Sequence, residues 1–181
     1  LANDSGDFWT YGVADIDSQV NVNNYVGGDA YSWGIFGRFG EAYHNSANVG
    51  SIGNFTDDDI IGIAFDVDSN DMWFSKNGSW LEGDPAAGTG ATFANVSGTI
   101  SPQIGSGSWS VTSVANFGQD SSFAGNKTAQ GNQDGNSIGD FYYTPPSGFL
   151  ALCTSNLPAV AVTPSEHFNT ILYDDGAGAK T

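Results

Sequence analysis

Apolar residues in this chain come in short bursts that alternate with small or polar ones, and Gly, Asn, Asp and Ser break the bursts at intervals of about eight to twelve residues. The clearest burst is Ile61-Gly62-Ile63-Ala64-Phe65-Asp66-Val67, whose period of two is that of a strand with one buried face. A turn-prone stretch at 68–71 leads to Met72-Trp73-Phe74-Ser75, the second strand of a hairpin. Next comes Lys76-Asn77-Gly78-Ser79, whose Asn-Gly pair tolerates positive φ at both central positions of a tight turn, and Trp80 restarts the chain beyond it. The same pattern predicts strands at 8–14, 32–37, 100–104, 110–116 and 149–153, with fainter alternation at 141–143 and 170–173. Good helix formers gather nowhere at three-and-four spacing, so the expectation is an all-β sandwich or barrel with little helix.

Two stretches depart from this rhythm. The Gly-, Asn- and Gln-rich run 119–139 has little to bury and reads as a long surface loop or an ordered Ω-loop. Residues 158–181 hold Pro158, Pro164 and His167-Phe168-Asn169-Thr170-Ile171-Leu172-Tyr173. They read as a strap, a short strand and a flexible exit toward a further module or subunit. The expected organisation is therefore a β-sandwich over 1–157 and a strap with linker over 158–181.

Composition narrows the functions. With 181 residues the chain is long enough to bury a sizeable core, and its single Cys can form no internal disulfide. Four Lys+Arg stand against 20 Asp+Glu, a formal charge of −16, so no basic patch exists to neutralise a polyphosphate or an anionic membrane. Nucleic acid and membrane insertion are excluded as partners on this reading. The apolar runs at 60–65 and 157–162 are too short to cross a bilayer. The start of the chain carries no signal-peptide pattern and no Met, as in a fragment or processed product. Asn54, Asn77, Asn95 and Asn126 each begin an Asn-x-Ser/Thr sequon, a frequency chance explains in a chain of this composition.

Candidate chemistry is sparse. A glycosidase needs two carboxyls across the scissile bond. Glu41, Glu82 and Glu166 are isolated, and Asp15/Asp17 and Asp66/Asp68 have strand spacing but read as water-facing turn residues. Asp66-Val67-Asp68-Ser69-Asn70 begins like a calcium loop, yet Asp71 stands where that loop needs Gly and Asn77 where it needs Glu. The run Asp57-Asp58-Asp59 reads as a solvated loop. His44 and His167 lie far apart with no nucleophile context, and Cys153 sits in an apolar run as a buried small hydrophobe. The expectation is a protein that is not an enzyme and takes no cofactor or metal. Trp9, Tyr11, Tyr31, Trp33, Phe36, Trp73, Phe74, Trp109 and Phe117 fall in or beside predicted strands, so most of them are expected in the core. Tyr25 and Trp80 adjoin loop-like residues, each with an Asp nearby, so Tyr25, Asp29, Trp80 and Asp84 are the candidate binding residues.

Several blocks taken together carry a resemblance. Asp59-Ile60-Ile61-Gly62-Ile63-Ala64-Phe65-Asp66, Met72-Trp73-Phe74-Ser75-Lys76-Asn77-Gly78-Ser79-Trp80, Ile100-Ser101-Pro102 and Val114-Ala115-Asn116-Phe117-Gly118-Gln119 resemble, in order, the signature of the SPRY domain family, and Tyr31-Ser32-Trp33-Gly34 fits upstream. The resemblance implies a bent antiparallel β-sandwich of concanavalin-like type that binds without catalysis, through loops at one edge. The family's opening Lys-Trp-Tyr-like strand finds no counterpart before Phe8, which implies a truncated chain or a strand supplied by another segment or subunit. The downstream run 139–158, with Pro164-Ser165-Glu166-His167-Phe168-Asn169-Thr170, resembles SPRY-containing structural proteins of tailed bacteriophages, especially those of marine hosts. That second resemblance implies a virion component such as a tail fibre, binding a host surface glycan, other virion proteins or copies of itself as a homo-oligomer at the particle surface. A capsid decoration protein and a glycan-cleaving sandwich enzyme are the alternatives.

Overall fold

Alternation becomes two antiparallel sheets in the computed structural model, which describes residues 9–18, 25–106 and 112–158. The described residues form β1 (Trp9–Asp15), β2 (Ser32–Phe36), β3 (Glu41–His44), β4 (Ala47–Ser51), β5 (Ile61–Asp66), β6 (Asp71–Lys76), β7 (Ser79–Trp80) and β8 (Ile100–Ser106). One sheet runs β4-β3-β2-β1-β8 and the other β5-β6-β7, so among the described residues β5 and β8 are both edge strands. Helical structure among the described residues amounts to two single 3₁₀ turns, at Pro85–Ala87 and Thr154–Asn156. This is the all-β sandwich that the sequence leads one to expect.

Residues directly opposite one another in a ladder share a face, so the register assigns the core. Val13 faces Trp33 and Tyr11 faces Ile35 across β1 and β2. Met72 faces Phe65 and Phe74 faces Ile63 across β5 and β6. Trp9, Tyr11, Val13, Trp33, Ile35, Met72 and Phe74 belong to one buried cluster with Phe55, Phe93 and Val96. Asn77 (φ 50°) and Gly78 (φ 81°) supply the left-handed pair that closes β6 onto β7. The Asn77 side chain also ties this turn to the start of β5, accepting the Ile60 amide at 2.9 Å and donating to Asp59 at 2.6 Å.

The outer face of the larger sheet is covered as well. Thr10 and Ala14 are buried there, and the Thr10 hydroxyl accepts the Val26 amide at 3.2 Å. A Cβ on Gly34 would lie 2.6 Å from the Val26 carbonyl oxygen, so the absence of side chain at that position lets the 25–28 loop lie flat across the sheet.

Beyond β8 the described chain forms no strand, and three expectations change. Residues 112–116 and 149–153 are irregular, and 141–143 contributes only one isolated bridge, Asn132 to Phe141. The reason is competition from side chains. Asp134 takes the Ala151 amide at 2.8 Å and Asn156 takes the Ala151 carbonyl at 2.9 Å, which leaves no ladder groups at the centre of 149–153. Asn132 likewise holds the Phe141 and Tyr142 carbonyls. Asn116 gathers the amides of Gly118, Gln119 and Asp120 and donates to the Asp140 carbonyl, and Gln119 holds the Ala115 carbonyl. Segment 119–139 is thus an ordered loop built on side-chain hubs, with Ser121, Phe123 and Asp134 buried. Further along, Phe149 packs on the smaller sheet through an edge contact with Trp73 at 6.0 Å. Residues 110–111, the alternation at 170–173 and nearly all of 158–181 lie outside the described residues, as do Trp109, Glu166 and His167.

Candidate functional site

Two features of the described surface are built like binding sites. The first lies on the outer face of the larger sheet. Phe36 stands opposite Glu41, and Gly34 opposite Tyr43, so Phe36, Glu41 and Tyr43 point away from the core on the same side. The flat 25–28 loop brings Tyr25 onto them, with ring centroids 4.6 Å from Phe36 and 5.7 Å from Tyr43. Phe39, which is exposed, closes the rim at 6.5 Å from Phe36, and the Arg38 guanidinium lies 5.6 Å over its ring. These residues line a shallow basin of about 390 Å³. At its wall the Tyr43 hydroxyl donates to Glu41 at 2.8 Å, and that bond, with burial second, raises the Tyr43 pKa above its usual 10.0. A cluster of four aromatic rings, of which Phe39 is the exposed one, beside an oriented carboxylate suits a ligand with a flat apolar side and hydroxyl groups.

The second is a crevice of about 1090 Å³ around the outer edge of β5. Ile63 faces Phe74, and Ile104 faces Tyr11, so both belong to the interior faces of their sheets. Both are nevertheless exposed, Ile63 at 40% and Ile104 at 52%, because no described strand lies between β5 and β8. Leu150, Leu152 and Leu157 of the C-terminal loops add exposed apolar surface to the same lining. Its charged residues are Asp59, Asp66 and Asp68, with no Lys, Arg or His among the residues that line it.

The four sequence candidates divide between these places. Tyr25 is in the basin, and Asp29, in the turn beside it, is used internally, accepting the Tyr31 amide and the Ser32 hydroxyl at 2.9 Å each. Trp80 lines the crevice, and Asp84 caps the neighbouring 3₁₀ turn by accepting the Ala86 amide at 2.9 Å. The two pairs do not share a cavity. Tyr43 and Phe39 are not among the sequence candidates, and Phe36, one of the aromatics of which most are expected in the core, is half-buried on the outer face. The available signal was alternation, since Trp33 and Ile35 face inward and Phe36 must then face out. Tyr31 and Phe117, from the same group, are exposed as well, at 49% and 44%.

The remaining candidates have structural partners. Asp66 accepts the Asp68 amide at 2.9 Å, a turn interaction. Asp15 accepts the amides of Asp17 and Thr99. Asp59 pairs with Lys76 at 2.8 Å. Burial opposes ionisation of that Asp59 carboxyl, but Lys76 and the Thr56 amide outweigh it and hold its pKa below 3.8. His44 stacks on Trp33 at 4.7 Å, with Nδ1 2.9 Å from the Ser32 carbonyl oxygen. Cys153 is half-buried in the C-terminal loops. Among the described residues, no three His, Cys, Asp or Glu side chains converge as metal ligands would, and none of the helical turns could cross a membrane.

No curated protein sequence matches the chain. The SPRY domain profile matches residues 2–120, well over half of the sequence and all eight of the described strands. That match, together with the two antiparallel sheets, makes the chain an interaction module by kind, and it belongs to the SPRY domain family.

Proposed function

We propose that this SPRY domain is a noncatalytic binding module of a tailed-phage virion, part of a tail fibre or other appendage, that holds a host surface glycan at the particle surface. The observation that carries the reading is the basin of Tyr25, Phe36, Phe39 and Tyr43 with Glu41 at its wall. The ring faces can stack on the apolar side of a sugar, and the carboxylate can accept from its hydroxyls. The formal charge of −16 supports it, since such a surface keeps particles soluble and apart. So does the likeness of the C-terminal third to phage structural proteins. A noncatalytic role fits the engagement of Glu41 with Tyr43 and of Asp66 with its own turn.

The test is binding of the intact chain to purified host polysaccharide by biolayer interferometry. Phe39→Ala and Tyr25→Ala each remove one stacking face, about 1.4 kcal/mol, and should weaken binding about tenfold with the fold unchanged. Release of reducing ends from the polysaccharide, abolished by Asp66→Asn or Glu41→Gln, would replace the binding module with an enzyme.

A further inference from the structure

We infer that the crevice between β5 and β8 is a second docking site, separate from the basin and independent of what the basin holds. It takes an extended, basic segment of another protein, which adds to the sandwich as a strand. Three observations point to a strand rather than to a compact ligand. Ile61, Ile63 and Phe65 on β5, and Ile100, Pro102 and Ile104 on β8, all belong to interior faces. None of them is buried, and Ile63 and Ile104 are exposed. Among the described residues the interior is therefore only partly covered along these two edges: Ile61, Phe65 and Ile100 pack against the core cluster, while Ile63, Pro102 and Ile104 stay exposed, as when room is left for one more strand.

The second observation is the edge itself. β5 has a ladder partner only on its β6 side among the described residues, so its other side offers backbone N–H and C=O groups over Ile61–Asp66. Six residues of extended chain reach about 20 Å, enough for a short incoming strand to pair throughout. Third, the lining carries Asp66 and Asp68 with no cationic side chain among the described residues that form it, while Asp59 at the other end is already paired with Lys76. A strand with alternating β-branched residues toward the crevice and a Lys or Arg where it meets Asp66 and Asp68 matches both the apolar floor and this charge. Pairing supplies affinity, and the Ile63 and Ile104 positions select the inward side chains.

The test uses the whole chain and a fluorescein-labelled peptide, Lys-Val-Thr-Val-Thr-Val-Lys, with anisotropy as the readout. Two control peptides carry Glu in place of both Lys residues, or Pro in place of the central Val. The expected result is saturable binding of the basic peptide, at least tenfold weaker binding of the acidic one, and loss of binding with Pro, which removes a ladder donor. Ile63→Thr and Ile104→Thr keep β propensity at exposed positions and should each weaken binding about tenfold with an unchanged circular dichroism spectrum. Binding equal for the basic and Pro peptides, or unaffected by both substitutions, overturns the inference. Binding that appears only after removal of 159–181, or absence of binding with a concentration-dependent dimer in sedimentation, also overturns it and assigns the crevice to the chain itself or to a second copy.

Discussion

Replacing Asn77 by alanine disturbs three things at one residue. The backbone there has φ 50°, a left-handed conformation that costs a residue with an ordinary Cβ about 1 kcal/mol more than Asn or Gly. Its Oδ1 accepts the amide of Ile60, a residue only 8% exposed, and an orphaned donor at such a site costs about 1–2 kcal/mol. Its Nδ2 donates at 2.6 Å to Asp59, and this bond to a charged group is worth about 1 kcal/mol after solvent screening at an exposed side chain. Asn77→Ala should therefore lose about 3–4 kcal/mol, a large share of the roughly 5–15 kcal/mol that holds a domain folded. Asn77→Gly keeps the left-handed backbone and loses only the two hydrogen bonds, about 2–3 kcal/mol by the same reasoning. Urea unfolding followed by tryptophan fluorescence, with equal slopes for the three proteins, gives the comparison directly. The required order is wild type, then Gly, then Ala. An alanine variant within about 1 kcal/mol of wild type would mean that the turn side chain carries no weight. An alanine variant as stable as the glycine variant would remove the backbone part of the argument.

Two further outcomes follow from single contacts. Asp134 is held at about 2, against 3.8, chiefly by the Ala151 amide and then by Ile138, Asn156 and Asn136. Its folded pKa lies below the unfolded one, so the stabilisation is complete above pH ~4 and is lost as pH falls through about 2. The Ala151 and Ile138 amide resonances should move together across that window in an NMR titration and stay flat in Asp134→Asn; equal behaviour of the two proteins counts against the hub. Gly37→Ala would set a Cβ 1.2 Å from a ring carbon of Trp9, itself fully buried, so the indole must leave its slot. A loss of about 3 kcal/mol is expected in the same urea assay, and a neutral substitution would show that the indole slot is not tight.

The parts of the fold legible in the sequence are those where local pattern and tertiary demand agree. β5, β6 and the Asn77-Gly78 turn satisfy alternation and turn chemistry together, and they sit where the pattern puts them. The β3–β4 hairpin was not legible, because its strands are largely polar and its turn uses Asn45 and Ser46 at φ 52° and 61° without a glycine. The region from 112 onward misleads for the opposite reason. Its alternation is real, but Asn116, Asn132 and Asp134 claim the backbone groups that a ladder would need. Of the basin Tyr25 is a sequence candidate and Phe36 follows from alternation, but Glu41 and Tyr43 join them only through the register of the β2–β3 hairpin, whose second strand the pattern does not announce. The crevice was not legible as a place, because it is set by how β5 and β8, distant in the chain and in different sheets, come to lie beside each other.

The loops from 112 to 158 and the sandwich beneath them are held by different forces, and temperature will separate them. The sheets rest on buried aromatic and aliphatic side chains, whose stabilisation weakens on cooling. The loops rest chiefly on carboxylate, amide and hydroxyl hubs, with Phe123 and Ala151 as their buried apolar residues, so their opening should carry a smaller heat-capacity change than that of the sheets. In cold water the covering loops keep their grip while the layered interior loosens, and on warming they are the first to let go.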